Sequence, residues 1–169
     1  MGSGFHARWN LHFEFSAAKE LIALLRNSLA AVARDVECFD MLADYQSLTW
    51  TVRQRVASPD TVVGLVVMIS RRGQDLYGFG LPTDLDPQLA TYRLADEFQN
   101  QVLDDYIQWP TRDGLLLSAR TSEERGVSVW HRKGMPVIEI GNLCKLIDMK
   151  KCTESTSSPI NVTISHTER

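Results

Sequence analysis

Trp9, Leu11, Phe13 and Phe15 alternate with Asn10, His12 and Glu14, the two-residue period of a strand buried on one face. Ser16 can then cap a helix whose apolar stripe is Leu21, Leu25, Leu29, Val32 and Val36, with Ser28 beside it. That helix should fade between Glu37 and Tyr45, where acidic and bulky apolar residues mix. From Ser47 the period returns to two, with Leu48, Trp50 and Val52 on one face and Thr49, Thr51, Arg53 and Arg55 on the other. Ser58-Pro59-Asp60 is a turn signal. Thr61 to Ile69 is nearly all apolar and predicts a central strand covered on both faces. Arg71-Arg72-Gly73-Gln74 is a tight connection to a returning strand at Leu76–Phe79.

A second helix opens with Asp86 as N-cap and Pro87 at its first position, where the missing N–H costs nothing. On a helical wheel Tyr92, Leu94, Ala95, Phe98, Val102, Leu103 and Tyr106 fill one half-circle. Arg93, Asp96, Glu97, Asn100, Gln101, Asp104 and Gln108 fill the other, and Pro110 ends the pattern. Three short strands follow at about Leu115–Arg120, Val127–Trp130 and Val137–Ile140. Residues 5–150 therefore read as a single α+β domain, and 151–169, rich in Ser and Thr, as a flexible tail.

The segment 69–80 can be laid on 130–141 without a gap. A basic pair, a turn glycine, an apolar alternation and a closing glycine coincide. Two αβββ units would account for residues 16–80 and 86–141. The expected fold is α+β, a mainly antiparallel sheet with two principal helices packed on one face. The element order resembles, at fold level, the αβββαββ arrangement of small secretion-chaperone-like domains.

The chain has 169 residues, 44% hydrophobic and 23% charged, enough to bury a sizeable core without a metal or disulfide framework. Its net charge of −3 hides a division. Residues 84–108 carry six acidic side chains against one basic, whereas 109–150 carry seven basic against five acidic. The longest apolar run, Val62 to Ile69, is far short of the roughly 20 residues a membrane span needs. The first residues have neither a secretory pattern nor, with His6 at the sixth position, a myristoylation pattern. Cys38, Cys144 and Cys152 lack metal-ligand spacing and read as separate thiols in a reducing cytoplasm, Cys38 as a small core residue.

No Gly-x-Ser-x-Gly elbow, phosphate-cradling glycine loop or Cys-x-x-Cys pair is present, so neither a cofactor nor a metal is expected. Asp96, Glu97 and Asp104 read as a solvated helix face. The polar feature with most binding potential is the pair of basic turns: Arg71 and Arg72, then Arg132 and Lys133, with His131 solvated beside the second. Under pseudo-symmetry the two turns would cluster, and Arg53 and Arg55 could extend the surface toward an anionic partner. The expected function is a non-catalytic protein-interaction module of adaptor, chaperone-like or inhibitor type, binding another protein or a second copy of itself. The alternative is a hydrolase or transferase using His12 or His131 with a carboxylate. Net negative charge argues against nucleic acid as the partner of the basic turns. Each of the four tryptophans could sit in the core or, if exposed, form an interaction hot spot.

Overall fold

The computed structural model describes residues 5–146 and 160–165. In chain order its elements are β1 (Trp9–Phe13), α1 (Lys19–Val36), β2 (Thr49–Ser58), β3 (Thr61–Arg71), β4 (Gln74–Leu81) and α2 (Pro87–Asp104). There follow β5 (Thr111–Arg112), β6 (Leu115–Leu116), β7 (Ser118–Ser122), β8 (Val127–Arg132), β9 (Met135–Glu139) and β10 (Ile160–Ile164). Short 3₁₀ turns occupy Asp40–Tyr45 and Leu143–Lys145. The fold is α+β. Its strands form three sheets rather than one: a five-stranded sheet ordered β10-β1-β2-β3-β4, the small β5-β6 hairpin, and a three-stranded sheet β7-β8-β9. The first is mixed, because β1 runs parallel to both β10 and β2, while β2, β3 and β4 are antiparallel.

The two-residue period decides what each strand of the large sheet buries. Trp9, Leu11, Phe13, Trp50, Val52, Leu65, Val67, Ile69 and Leu81 face the core with under 4% exposure. Asn10, Glu14 and Arg53 lie on the open face. That open face corrects the reading of β3 as covered on both sides. Val66 and Met68 are only half-buried, and Val62 and Val63 are exposed. Gly78 leaves room for Met68, whose Cε lies 2.9 Å from where a Cβ would stand.

An aromatic chain ties the two larger sheets together. Trp9 meets Trp50 at 5.2 Å between ring centroids and Phe98 of α2 at 5.3 Å. Phe98 meets Trp109 at 5.3 Å, and Trp109 meets Trp130 of β8 at 5.2 Å. These separations lie within the favoured range for ring pairs. All four tryptophans are fully buried, which removes them as exposed hot spots.

The internal repeat is reproduced in three dimensions. Arg71 pairs with Gln74, Ser70 with Asp75, Ile69 with Tyr77 and Met68 with Gly78, with a register shift between Ile69 and Ser70. At the same spacing Arg132 pairs with Met135, His131 with Pro136, Trp130 with Ile138 and Val129 with Glu139, with the shift between Trp130 and His131. Both hairpins follow helices of 18 residues. The two units differ in what surrounds them, since only the first sheet gains β1 and β10.

Several local expectations are corrected. Ser16 caps nothing, because α1 starts at Lys19 after Ala18, which makes no side-chain cap. Asp86 does cap α2, accepting from the Leu89 N–H at 2.7 Å, but the helix stops at Asp104. Tyr106, with φ of 62°, turns out of the helix and is 98% exposed. The tail reading fails at Ile160–Ile164, which pairs along the whole of β1. Ile160, Val162 and Ile164 alternate with Asn161 and Thr163, a strand signal hidden by the surrounding Ser and Thr. Residues 147–159 and 166–169, and with them Cys152, His166 and the rest of that tail, lie outside the described residues.

Candidate functional site

Three two-residue turns share one backbone geometry: Arg72-Gly73, Asp113-Gly114 and Lys133-Gly134. Their φ values, 52° and 78°, 53° and 75°, 50° and 77°, place all six residues in the left-handed region. This geometry matches the right-handed twist of the flanking strands and asks for glycine at the second position. The second and third turns meet at an open cleft of about 360 Å³ lined by Arg112, Asp113, Arg132, Lys133, Met135 and Val137. Three cations and one carboxylate leave two positive charges in excess. The Arg112–Asp113 pair spans 4.0 Å with both side chains well exposed, so it barely neutralises the arginine. Met135 is 69% exposed, which gives the cleft an apolar wall beside its charges.

The expected basic surface therefore divides into three. Arg132 and Lys133 line the cleft. Arg71 is engaged elsewhere, its guanidinium 5.3 Å from the centre of the Tyr45 ring, a cation–π distance. Arg72 occupies the exposed turn beside it. Arg53 lies opposite Val66 and pairs with Glu14 at 3.2 Å, and Arg55 lies opposite Gly64. From Gly64 to Arg72 is eight strand residues, about 26 Å at a rise of roughly 3.3 Å each, so Arg53 and Arg55 cannot extend the Arg72 turn. Like-sign side chains near each other in sequence are placed apart by strand direction.

His131 is corrected from solvated to buried. It is 9% exposed on the central strand of its sheet, between Ser118 and Pro136, and both ring nitrogens lack a hydrogen-bond partner. Burial, with Arg120 adding to it, lowers its pKa below the usual imidazole value. Both influences favour the neutral ring, and the one charged side chain that acts on it, Arg120, is a cation and not a carboxylate. His12 lies on the open face as its alternation predicts. Its Nδ1 is 2.7 Å from Thr163 Oγ1 and its Nε2 3.1 Å from Ser165 Oγ, so hydroxyls rather than a carboxylate hold it.

The helix face read as solvated is partly buried too. Glu97 is 8% exposed, accepting from Tyr77 Oη at 2.7 Å and pairing with Arg93 at 3.3 Å. Gln101 is 3% exposed. α2 is flanked by both larger sheets, so more than half of its circumference is covered. The Glu97 carboxylate holds the Tyr77 phenol up at about 12.

The most perturbed carboxyl is Asp35, which is fully buried. It accepts from Trp130 Nε1 at 2.7 Å, Gly141 N–H at 2.8 Å and Leu143 N–H at 2.9 Å. Burial outweighs these three donors and raises its pKa to about 6. Asp35 is not among the residues that line the cleft of Arg132 and Lys133, and it reads as a clamp between α1 and the exit of β9. A disulfide joins Cys38 to Cys144 beside it, with Cα atoms 5.3 Å apart. Two of the three thiols on which a cytoplasmic location was expected are thus paired.

Arg112, Asp113, Met135 and Val137 are the cleft residues absent from the predicted site. The signal for half of them was local: Asp113-Gly114 directly before Leu115-Leu116-Leu117 is a two-residue turn pair of the kind that closes hairpins. Among the described residues no helix is long and apolar enough to cross a membrane, and no group of three or more His, Cys, Asp and Glu could hold a metal ion. Compared with family models, curated proteins and solved structures, the chain matches none.

Proposed function

We propose that the chain is a small non-catalytic protein-binding module that takes an acidic, partly apolar segment of another protein into the cleft of Arg112, Arg132 and Lys133. The observation that carries this reading is the exposed Met135 standing among three cations. A polyanionic backbone alone would be met by charge and, in single strands, by stacking rings. The six lining residues include no aromatic. A flexible thioether suits irregular apolar side chains of a protein segment.

The test compares an amphipathic peptide of alternating Glu and Leu with a DNA duplex of equal charge, by fluorescence anisotropy at two salt concentrations. The expected result is peptide binding that weakens at least about tenfold when Arg112, Arg132 and Lys133 are changed together to Glu. Equal binding by wild type and triple variant, or tighter binding of the duplex, overturns the reading.

A further inference from the structure

We infer that the outer part of the β2–β3 hairpin is a self-association arm, through which the edge Thr61–Gly64 pairs antiparallel with the same edge of a second copy of this chain. β1 pairs with β2 no further than Val52, and β4 pairs with β3 only from Leu65 onward. Residues 53–64 therefore project as a two-stranded ribbon whose strands pair only with each other. Pro82 follows directly on Leu81, which bars β4 from continuing along that edge. Every residue from Arg53 to Val63 is exposed, including Val56 at 53%, Val62 at 40% and Val63 at 50%.

The repeated unit shows that the fold does not require this arm. Ser122 pairs with Val127 as Arg53 pairs with Val66, but the second unit closes there with the four residues 123–126. A lone two-stranded ribbon is marginal in water, and three exposed valines on it gain from being covered.

Charge selects both the edge and the occupant. Along β2 the arm carries Arg53 and Arg55, so two copies meeting by that edge would oppose like charges. Along β3 the run Thr61-Val62-Val63-Gly64 carries no charge and no proline, and its one protective irregularity is the register shift opposite Arg55 and Val56. Antiparallel pairing across a two-fold axis matches any such edge with itself. Four residues a side make a small interface, so association is micromolar rather than nanomolar.

Sedimentation velocity over about 1 to 300 μM spans that range. The expected result is a monomer–dimer equilibrium that Val63→Lys weakens at least about tenfold, because each lysine would replace a valine that lies opposite Val62 of the other copy and would bring two charges into a short apolar seam. Arg55→Glu, on the other edge, leaves it within about twofold. A second measurement needs no variant: amide exchange at 61–64 slows as protein concentration rises. A wild type that stays monomeric throughout, a dimer indifferent to Val63→Lys, or exchange independent of concentration overturns the inference. The cleft variant leaves this equilibrium unchanged, so failure here is distinguishable from failure of the peptide-binding reading.

Discussion

The β3–β4 and β8–β9 hairpins share a turn, a register shift and a pairing scheme, yet they are held in the molecule by different means. Ile69 and Trp130 occupy the same hairpin position, and both are fully buried. The first hairpin lies in a five-stranded sheet, where Ile69 is one of a row of core-facing side chains. The second belongs to a sheet of three strands, too few to bury much by themselves. Trp130 compensates by reaching Trp109 and donating to Asp35, so one side chain joins the small sheet to α1 and to the segment that follows α2. Equal local geometry does not imply equal dependence on neighbours.

Paired substitutions at the equivalent positions give the largest expected effect. Trp130→Ala should cost about 4–5 kcal/mol, from the cavity and from an Asp35 carboxyl left short of a donor. Ile69→Ala should cost about 3 kcal/mol. Urea unfolding of the two variants measures both. Equal losses would mean that the aromatic and carboxyl links add nothing beyond ordinary burial.

Asp35 itself gives the next effect. Its pKa is raised from 3.8 to about 6 in the folded state, so the folded protein holds that proton more tightly than the unfolded chain. Its contribution is fully present below pH 3.8 and is lost as pH rises through about 6. The loss amounts to about 3 kcal/mol between those limits. The stability difference between wild type and Asp35→Asn should therefore shift by about 2 kcal/mol of that amount from pH 4 to pH 7, in the direction that disfavours the wild type at the higher pH. A difference that stays flat across the window would show that the three donors hold the carboxylate ionised throughout. Because Asp35 anchors only the second hairpin, Ile69→Ala at the first, which removes buried alkyl volume and no proton-binding group, serves as the control whose cost should not change with pH.

What could be seen in the sequence was local. The Asp86 cap, the proline after it and the turn glycines at 73 and 134 each follow from the chemistry of a few adjacent residues. Long-range partners were hidden. Asp35 reads as an ordinary acidic residue near a helix end until residues 130, 141 and 143 arrive to bury it. Cys38 and Cys144 lie 106 positions apart, and nothing in their spacing announces a bond. The basic turns looked alike because the hairpins are alike, but Arg71 rests on Tyr45 from a different element. Strand direction then carries Arg53 and Arg55 away. Periodicity reports which face a residue takes, and it is silent on which strand comes to lie beside it.

The smallest effect tests the likeness itself. Gly73 and Gly134 have φ of 78° and 77°, and a Cβ added at either would meet no heavy atom within 4 Å. Steric crowding is thus absent at both, and only the left-handed backbone of an alanine remains to be paid for. Gly73→Ala and Gly134→Ala should each lose about 1 kcal/mol, and the two losses should agree within about 0.5 kcal/mol. Thermal or urea unfolding resolves differences of that size if the two variants are measured side by side. Agreement would mean that the turns are equivalent in energy as well as in angle, so that the unequal responses at Ile69 and Trp130 arise from the surroundings. A markedly larger loss at Gly134 would place part of the asymmetry in the second turn, where Lys133 also borders the cleft and a shift of the backbone would move its ammonium group.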